Sequence, residues 1–90
     1  MVVGESRQFN ILLSSGVGTV DGYTCKYSLK SGLKYSKEES CPMTADKRGF
    51  TVKFQTANMR PGNYVLRVTI TDTVEDYTKV YYEEQIILVD

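Results

Sequence analysis

The sequence predicts a single all-β domain whose strands form an antiparallel sandwich. Apolar and polar residues alternate with a period of two in at least four segments, as in strands that have one buried and one wet face. Valine, threonine and tyrosine are abundant in the 90 residues, whereas alanine occurs only twice, which disfavours long helices. A chain of this length forms one domain, residues 1–90, around one core.

Four segments alternate clearly, and a fifth does so with an interruption. The four are Arg7–Leu13, Gly22–Lys30, Phe50–Gln55 and Asn63–Thr71. In the fifth, Thr78–Val89, apolar residues occupy both phases of the alternation. We therefore expect either a β-bulge near Glu83-Glu84-Gln85 or a strand with both faces covered, one of them by a partner.

The connecting segments carry turn residues. Arg60-Pro61-Gly62-Asn63 suits a tight turn, and Asp72–Asp76 reads as an acidic hairpin loop. Ser31–Arg48 is long and irregular, and we expect Lys34-Tyr35 to form a short edge strand within it. Five or more strands at this spacing favour two sheets packed face to face with Greek-key connections, because a single sheet would expose aromatic residues.

Charge is balanced overall but unevenly distributed. Residues 1–71 hold ten basic and five acidic residues, whereas residues 72–90 hold one basic and six acidic residues. Two interpretations remain open: an acidic flank that promotes head-to-tail association, or one solvated acidic hairpin. Overall neutrality argues against nucleic acid as a partner, and no apolar run predicts a signal peptide or a membrane partner. We therefore expect synthesis in the cytosol.

The two cysteines, Cys25 and Cys41, are expected to be free thiols. Two cysteines without histidine cannot form a four-ligand zinc site, and disulfides are rare in reducing compartments. Cys25 alternates in phase with Tyr23, Tyr27 and Leu29, which predicts a core position.

Residues suited to catalysis or to metal binding are scarce. The chain has no histidine, the commonest general base, and no phosphate-binding loop or nucleophile elbow. Glu83 and Glu84 are neighbours in a predicted strand, so they point to opposite faces and cannot flank one substrate bond unless a bulge realigns them. Asp72, Glu75 and Asp76 could bind calcium, but a solvated turn is the preferred interpretation. We predict no enzyme activity, no cofactor, no metal and no small-molecule substrate.

Tyrosines near the C-terminal strand form the candidate interface. Tyrosine combines a large apolar ring with a polar tip, which suits contact surfaces. The same residues also fit an ordinary strand, so both interpretations remain open. The candidate interface residues are Tyr77, Tyr81, Tyr82, Glu84 and Ile87.

Three segments resemble a known family. Met59–Asp72 contains Pro61-Gly62-Asn63-Tyr64 followed by an alternating strand and Thr71-Asp72, a pattern of many immunoglobulin-like modules. Among small phage proteins, this segment resembles the N-terminal domain of baseplate upper proteins. Gly4–Ile11 resembles the opening strand of the N-terminal domain of phage baseplate upper proteins, and Glu84–Val89 resembles its closing strand. The resemblance implies an immunoglobulin-like antiparallel β-sandwich and a structural protein of a bacteriophage virion.

Within a virion, the resemblance implies a capsid decoration or cement protein, or a tail or baseplate adaptor. Its partners would be other virion proteins or further copies of itself, and assembly would take place in the cytoplasm of the host bacterium. The alternative is an immunoglobulin- or fibronectin-like module, from a larger extracellular protein, that binds glycan or peptide. The absence of tryptophan weakens the glycan version, because tryptophan offers the broadest stacking face.

Overall fold

The computed structural model describes residues 1–12, 20–32, 34–35 and 38–90, and this part of the chain contains seven strands. The strands are β1 (Ser6–Leu12), β2 (Tyr23–Ser31), β3 (Lys34–Tyr35), β4 (Glu39–Ser40), β5 (Gly49–Gln55), β6 (Gly62–Asp72) and β7 (Tyr77–Leu88).

The strands form two antiparallel sheets of unequal width. The narrow sheet consists of β1 and β5, paired in register from Ser6 opposite Gln55 to Leu12 opposite Gly49. The wide sheet has the order β3-β2-β6-β7, and β4 also pairs with β2. The chain crosses from the narrow sheet to the wide sheet after β1, returns for β5, and crosses again before β6. The prediction of an all-β structure with two packed sheets is confirmed.

One hydrophobic core lies between the sheets and is shared by both. Phe50 and Val52 of the narrow sheet are almost fully buried, as are Leu66 and Val68 of the wide sheet. Cys25 lies in the same core, as its phase in the alternation predicts. Alternation places every second residue of each strand inward, so the two sheets bury each other's apolar faces.

The five predicted main strands match the observed ones to within one residue at each end. Lys34-Tyr35 forms the short strand β3, as expected, whereas Leu13 lies outside the described residues. The sequence did not indicate β4, because Glu39 and Ser40 are both exposed and show no apolar alternation. Backbone pairing with Lys26 and Tyr27 of β2 forms this strand without the help of a buried side chain.

The bulge in β7 lies at Tyr81, so the expected position near Glu83-Glu84-Gln85 is wrong. Val68 lies opposite Tyr82, but the next residue, Thr69, lies opposite Val80, which leaves Tyr81 as the extra residue. We expected the bulge there because the charged Glu84 alternates in step with the inward-facing residues of the strand. A carboxylate at an inward-facing position suggested that the alternation is interrupted at this point. Glu84 instead keeps its inward phase, because an arginine of the other sheet pairs with it.

The N-terminal segment joins the two sheets at one end. Val2 forms a parallel bridge with Val89, and the Val3 backbone N–H donates to the Val89 carbonyl at 2.8 Å. The buried Thr56 hydroxyl, just after β5, accepts from the Gly4 N–H at 3.0 Å and donates to the Glu5 carbonyl at 2.8 Å. Residues 1–5 therefore run from the edge of the wide sheet to the narrow sheet.

Gly49, the first residue of β5, lies very close to the backbone of β1. A Cβ at this position would be 2.1 Å from the Ile11 carbonyl oxygen, which backbone atoms cannot accommodate without movement. We expect Gly49→Ala to lower the free energy of unfolding by about 3 kcal/mol, measured by urea denaturation, because the narrow sheet must shift.

Gly22→Ala is the matched control for this prediction. A Cβ at Gly22 would meet no atom within 4 Å. The change should alter the free energy of unfolding by less than about 1 kcal/mol. Equal losses in the two variants would contradict the close approach of β5 to β1.

Candidate interaction surface

The first half of β7 is exposed on both faces. All residues from Tyr77 to Tyr81, here called the distal segment, are exposed, whereas exposed and more buried residues alternate from Tyr82 onward. Tyr77 is 62% exposed and Val80 is 48% exposed. Large apolar side chains are therefore presented to solvent along one stretch of a strand.

The distal segment is exposed because the strands of the two sheets differ in length. β6 and β7 have 11 and 12 residues, whereas β1 and β5 have seven each. At roughly 3.4 Å per residue, the β6–β7 hairpin exceeds the narrow sheet by more than 10 Å. The narrow sheet is too short to cover the full length of this hairpin.

The outward edge of β7 is covered at its C-terminal end. Met1 and Val3 form backbone hydrogen bonds with Ile87 and Val89. Within the described part of the chain, no residue pairs with this edge before Ile87. The bulge at Tyr81 and the charged Lys79 disfavour the nonspecific addition of another strand to the edge of β7. A partner would therefore have to match this edge in shape.

Tyr82 and Glu84, two of the candidate interface residues, face the narrow sheet instead of solvent. The Arg7 guanidinium donates two hydrogen bonds to the Glu84 carboxylate, one of them 2.8 Å long, and the Tyr82 hydroxyl donates to the same carboxylate. The Phe9 ring lies 5.5 Å from the Tyr82 ring and 5.0 Å from the Arg7 guanidinium carbon. These four residues, the Arg7 cluster, connect β1 to β7.

Electrostatics within the Arg7 cluster favour the ionised carboxylate. Hydrogen bonds from Arg7 and then from Tyr82 lower the pKa of Glu84 to about 2. The hydrogen bond to Glu84 raises the pKa of Arg7 and that of Tyr82 above their usual values. The ion pair therefore persists throughout the neutral range.

The structure separates the five candidate interface residues into two groups. Tyr82 and Glu84 contribute to contact between the sheets. Tyr77, Tyr81 and Ile87 are exposed, although the Tyr81 hydroxyl also donates to the Leu12 carbonyl at 3.2 Å. The role of this set in binding a partner remains a prediction, and its exposed members are the ones that a partner could contact.

Sequence reasoning missed Arg7. Its phase in β1 is the inward phase shared with Phe9 and Ile11, and Glu84 occupies the inward phase of β7. Opposite charges at core-facing positions of two strands, here Arg7 and Glu84, are the signal from which the ion pair could have been predicted. The sequence could not show that β1 and β7 lie opposite one another.

The acidic residues of the C-terminal part are partly neutralised within the fold. Glu83 forms an ion pair with Arg67 at 2.9 Å on the outer face, in addition to the pair made by Glu84. The Asp72 carboxylate accepts backbone hydrogen bonds from Val74 and Glu75, which orders the turn between β6 and β7. Negative charge is therefore concentrated at this turn instead of along the strand.

A polar groove lies on the outer face of the wide sheet. Asn63 and Gln85 line it, together with Arg67 and Glu83, which form an ion pair. Tyr64 forms part of its wall, and the Tyr64 hydroxyl donates to the Arg60 carbonyl at 2.7 Å. The groove offers both donors and acceptors of hydrogen bonds.

Comparison with known proteins gives no assignment: no protein-family model matches the chain, and no curated protein matches it in sequence. Among the residues that the structure describes, no three Cys, Asp or Glu side chains lie close enough together to hold a metal ion. Nor does that part of the chain contain a helix long and apolar enough to span a membrane.

The Arg7 cluster predicts a pH-dependent stability. The pKa of Glu84 is lower in the folded state than in the unfolded chain, so its contribution is complete above about pH 5 and is lost as pH falls towards 2. The Glu84 and Arg7 side chains are 31% and 33% exposed, and solvent screening limits the contribution to about 1 kcal/mol. Glu84→Gln should lack this component in urea unfolding measured from pH 7 to 2.

Glu83→Gln is the control, because it removes the ion pair on the outer face next to Glu84. We expect it to retain most of the acid-dependent loss seen in the unchanged protein. If the Glu84→Gln variant lost as much stability on acidification as the unchanged protein, the Arg7–Glu84 pair would not be its cause.

Proposed function

We propose that this domain is a non-enzymatic structural protein of a bacteriophage virion and that it acts by protein–protein assembly. A capsid decoration or cement protein and a tail or baseplate adaptor both fit this proposal. The observation that carries the assembly role is the distal segment of β7, which exposes Tyr77, Val80 and Tyr81 to solvent. The virion assignment is supported by the resemblance of Gly4–Ile11 and Met59–Asp72 to phage baseplate upper proteins.

We infer that the sandwich is of the immunoglobulin-like type, and the strand order supports this. In immunoglobulin domains, strands C, F and G are neighbours in one sheet, while B and E are neighbours in the other. The order β2-β6-β7 in the wide sheet and the pair β1-β5 reproduce both relations if these strands correspond to C, F, G, B and E.

A tyrosine near the start of β6 also supports this type. In immunoglobulin-like domains, a tyrosine at the start of strand F donates a hydrogen bond to the backbone a few residues upstream. Tyr64 does so, since its hydroxyl donates to the carbonyl of Arg60, four residues earlier. The Pro61-Gly62 turn between them brings the hydroxyl back to this carbonyl.

Assembly through β7 agrees with the chemistry of its exposed residues. Tyrosine rings bury a large apolar area against a partner and still satisfy their hydroxyl groups at the rim. The open part of the strand edge can also accept a strand from a neighbouring protein. The chain contains no histidine, which supports a role without general acid–base catalysis.

The test is affinity capture with the tagged protein from a lysate of the phage-producing host, followed by mass spectrometry. We expect a major capsid or tail protein at a constant ratio in moderate salt. Tyr77→Thr combined with Val80→Thr should lower the recovery of that protein at least about tenfold, which corresponds to 1.4 kcal/mol of binding energy. Both changes keep a strand-compatible side chain at an exposed position, so the Tm should change little.

Lys53→Thr is the control, because Lys53 is exposed on the outer face of the narrow sheet, away from β7. It should leave recovery unchanged. Equal recovery with the double variant would contradict the role of the distal segment. Recovery of no virion protein would contradict the virion proposal itself.

The polar groove favours a second candidate function, the binding of glycan or peptide by a module of a larger extracellular protein. Asn63 and Gln85 carry amide groups that could bind sugar hydroxyls or peptide groups.

A glycan array tests the second candidate. If the groove binds a glycan, Gln85→Ala should weaken binding about tenfold, whereas Gln8→Ala, which removes an exposed amide from the narrow sheet, should not. Glycan binding that both variants retain would place the site elsewhere, and no binding on the array would remove the glycan version.

A further inference from the structure

Two buried thiols lie opposite each other between β2 and the chain that follows β4. In the register of these strands, Lys26 pairs with Ser40 and Tyr27 pairs with Glu39. One further step in the same register places Cys25 opposite Cys41, and the Cys41 backbone N–H donates to the Cys25 carbonyl at 2.9 Å. Both residues are free thiols in this structure.

The pair has suitable geometry for a covalent link. Hydrogen-bonded residues that face each other in an antiparallel pair have Cα atoms roughly 5.5 Å apart, within the range of roughly 4.4–6.8 Å that disulfides span. Cross-strand neighbours point to the same side of a sheet, and both side chains belong to the core, with Cys25 2% and Cys41 7% exposed. The register therefore places the two residues within the separation that a disulfide requires.

We propose that Cys25 and Cys41 form a latent disulfide site, in which a low-molecular-weight disulfide oxidises the two thiols to a cross-strand bond. The inference does not depend on the proposed virion function. It assigns the pair a covalent modification that links β2 to the chain between β4 and β5.

The reaction proceeds by two thiol–disulfide exchanges. The Cys41 thiolate attacks one sulfur of oxidised glutathione and releases one glutathione thiolate. The Cys25 thiolate then attacks the Cys41 sulfur of the mixed disulfide and releases the second glutathione. The protein loses two protons and two electrons, and one glutathione disulfide is reduced to two glutathione molecules.

Cys41 is assigned as the first nucleophile because of its position. It lies at the edge of the wide sheet beside β4, which has only two residues, both exposed, whereas Cys25 lies within β2. A hydrogen bond from Cys25 also lowers the pKa of Cys41, which favours its thiolate. The oxidant reaches Cys41 when the short strand β4 opens locally.

The bond would restrict the unfolded chain, because it closes the loop between Cys25 and Cys41. For a loop of about 15 residues the chain-entropy model predicts a stabilisation that raises the Tm of a domain this small by roughly 15 °C. Reduction should reverse this rise completely.

The experiment treats the purified, reduced protein with oxidised glutathione under native conditions. We expect a product that is lighter by two hydrogen atoms, a peptide map that joins Cys25 to Cys41, and a Tm rise that dithiothreitol reverses. Cys41→Ala should give neither the cross-link nor the rise. If that variant does not fold, Cys41→Val serves as the second variant, and the peptide map of the unchanged protein remains decisive.

Four results would overturn the proposal. The thiols could remain unreacted at high oxidant concentration, stop at a glutathione adduct on either cysteine, or cross-link only between molecules. Formation of the Cys25–Cys41 bond only in denaturant would also contradict it, because the folded register would then not bring the two thiols together.

Discussion

The packing of the narrow sheet across the wide sheet is the constraint on which the rest of the structure depends. A two-stranded sheet is at best marginally stable in water, so β1 and β5 need the burial of Phe50, Val52 and Phe54 against the wide sheet. The need for this burial is consistent with the glycine at position 49. Because Gly49 has no side chain, β5 can approach the Ile11 carbonyl of β1 closely. Any change that separates the sheets removes most of the core at once.

Polar contacts at the margins hold the two sheets in one relative position. Arg7 and Glu84 connect them along the β1–β7 side, and the Thr56 hydroxyl fixes the chain where it passes between the sheets. Hydrophobic burial is not directional, whereas these hydrogen bonds form in only one arrangement. Strand β7 contributes to this on one side of the Tyr81 bulge, and on the other side both of its faces are exposed.

Much of the fold could be predicted from the alternation of residues, and the candidate site only in part. The five main strands, the short strand at Lys34-Tyr35 and the core position of Cys25 all agree with the sequence. Strand β4 escaped prediction because it has no buried side chain, and the bulge was misplaced because Glu84 in an inward phase looked like a break. The candidate interface was found in the correct strand, but Tyr82 and Glu84 turned out to face the narrow sheet.

The sequence by itself determined that the chain is all-β, which segments form the main strands, and, except across the bulge of β7, which residues of each of these strands share a face. Alternation gives this information because it is a property of neighbouring residues in one segment. Only the tertiary structure decided that Arg7 meets Glu84, that Cys25 lies opposite Cys41, and that Tyr77 remains exposed while Tyr82 does not. These facts depend on which strands pair and how far each extends past the other sheet, and contacts between distant segments leave no periodic signal within either one.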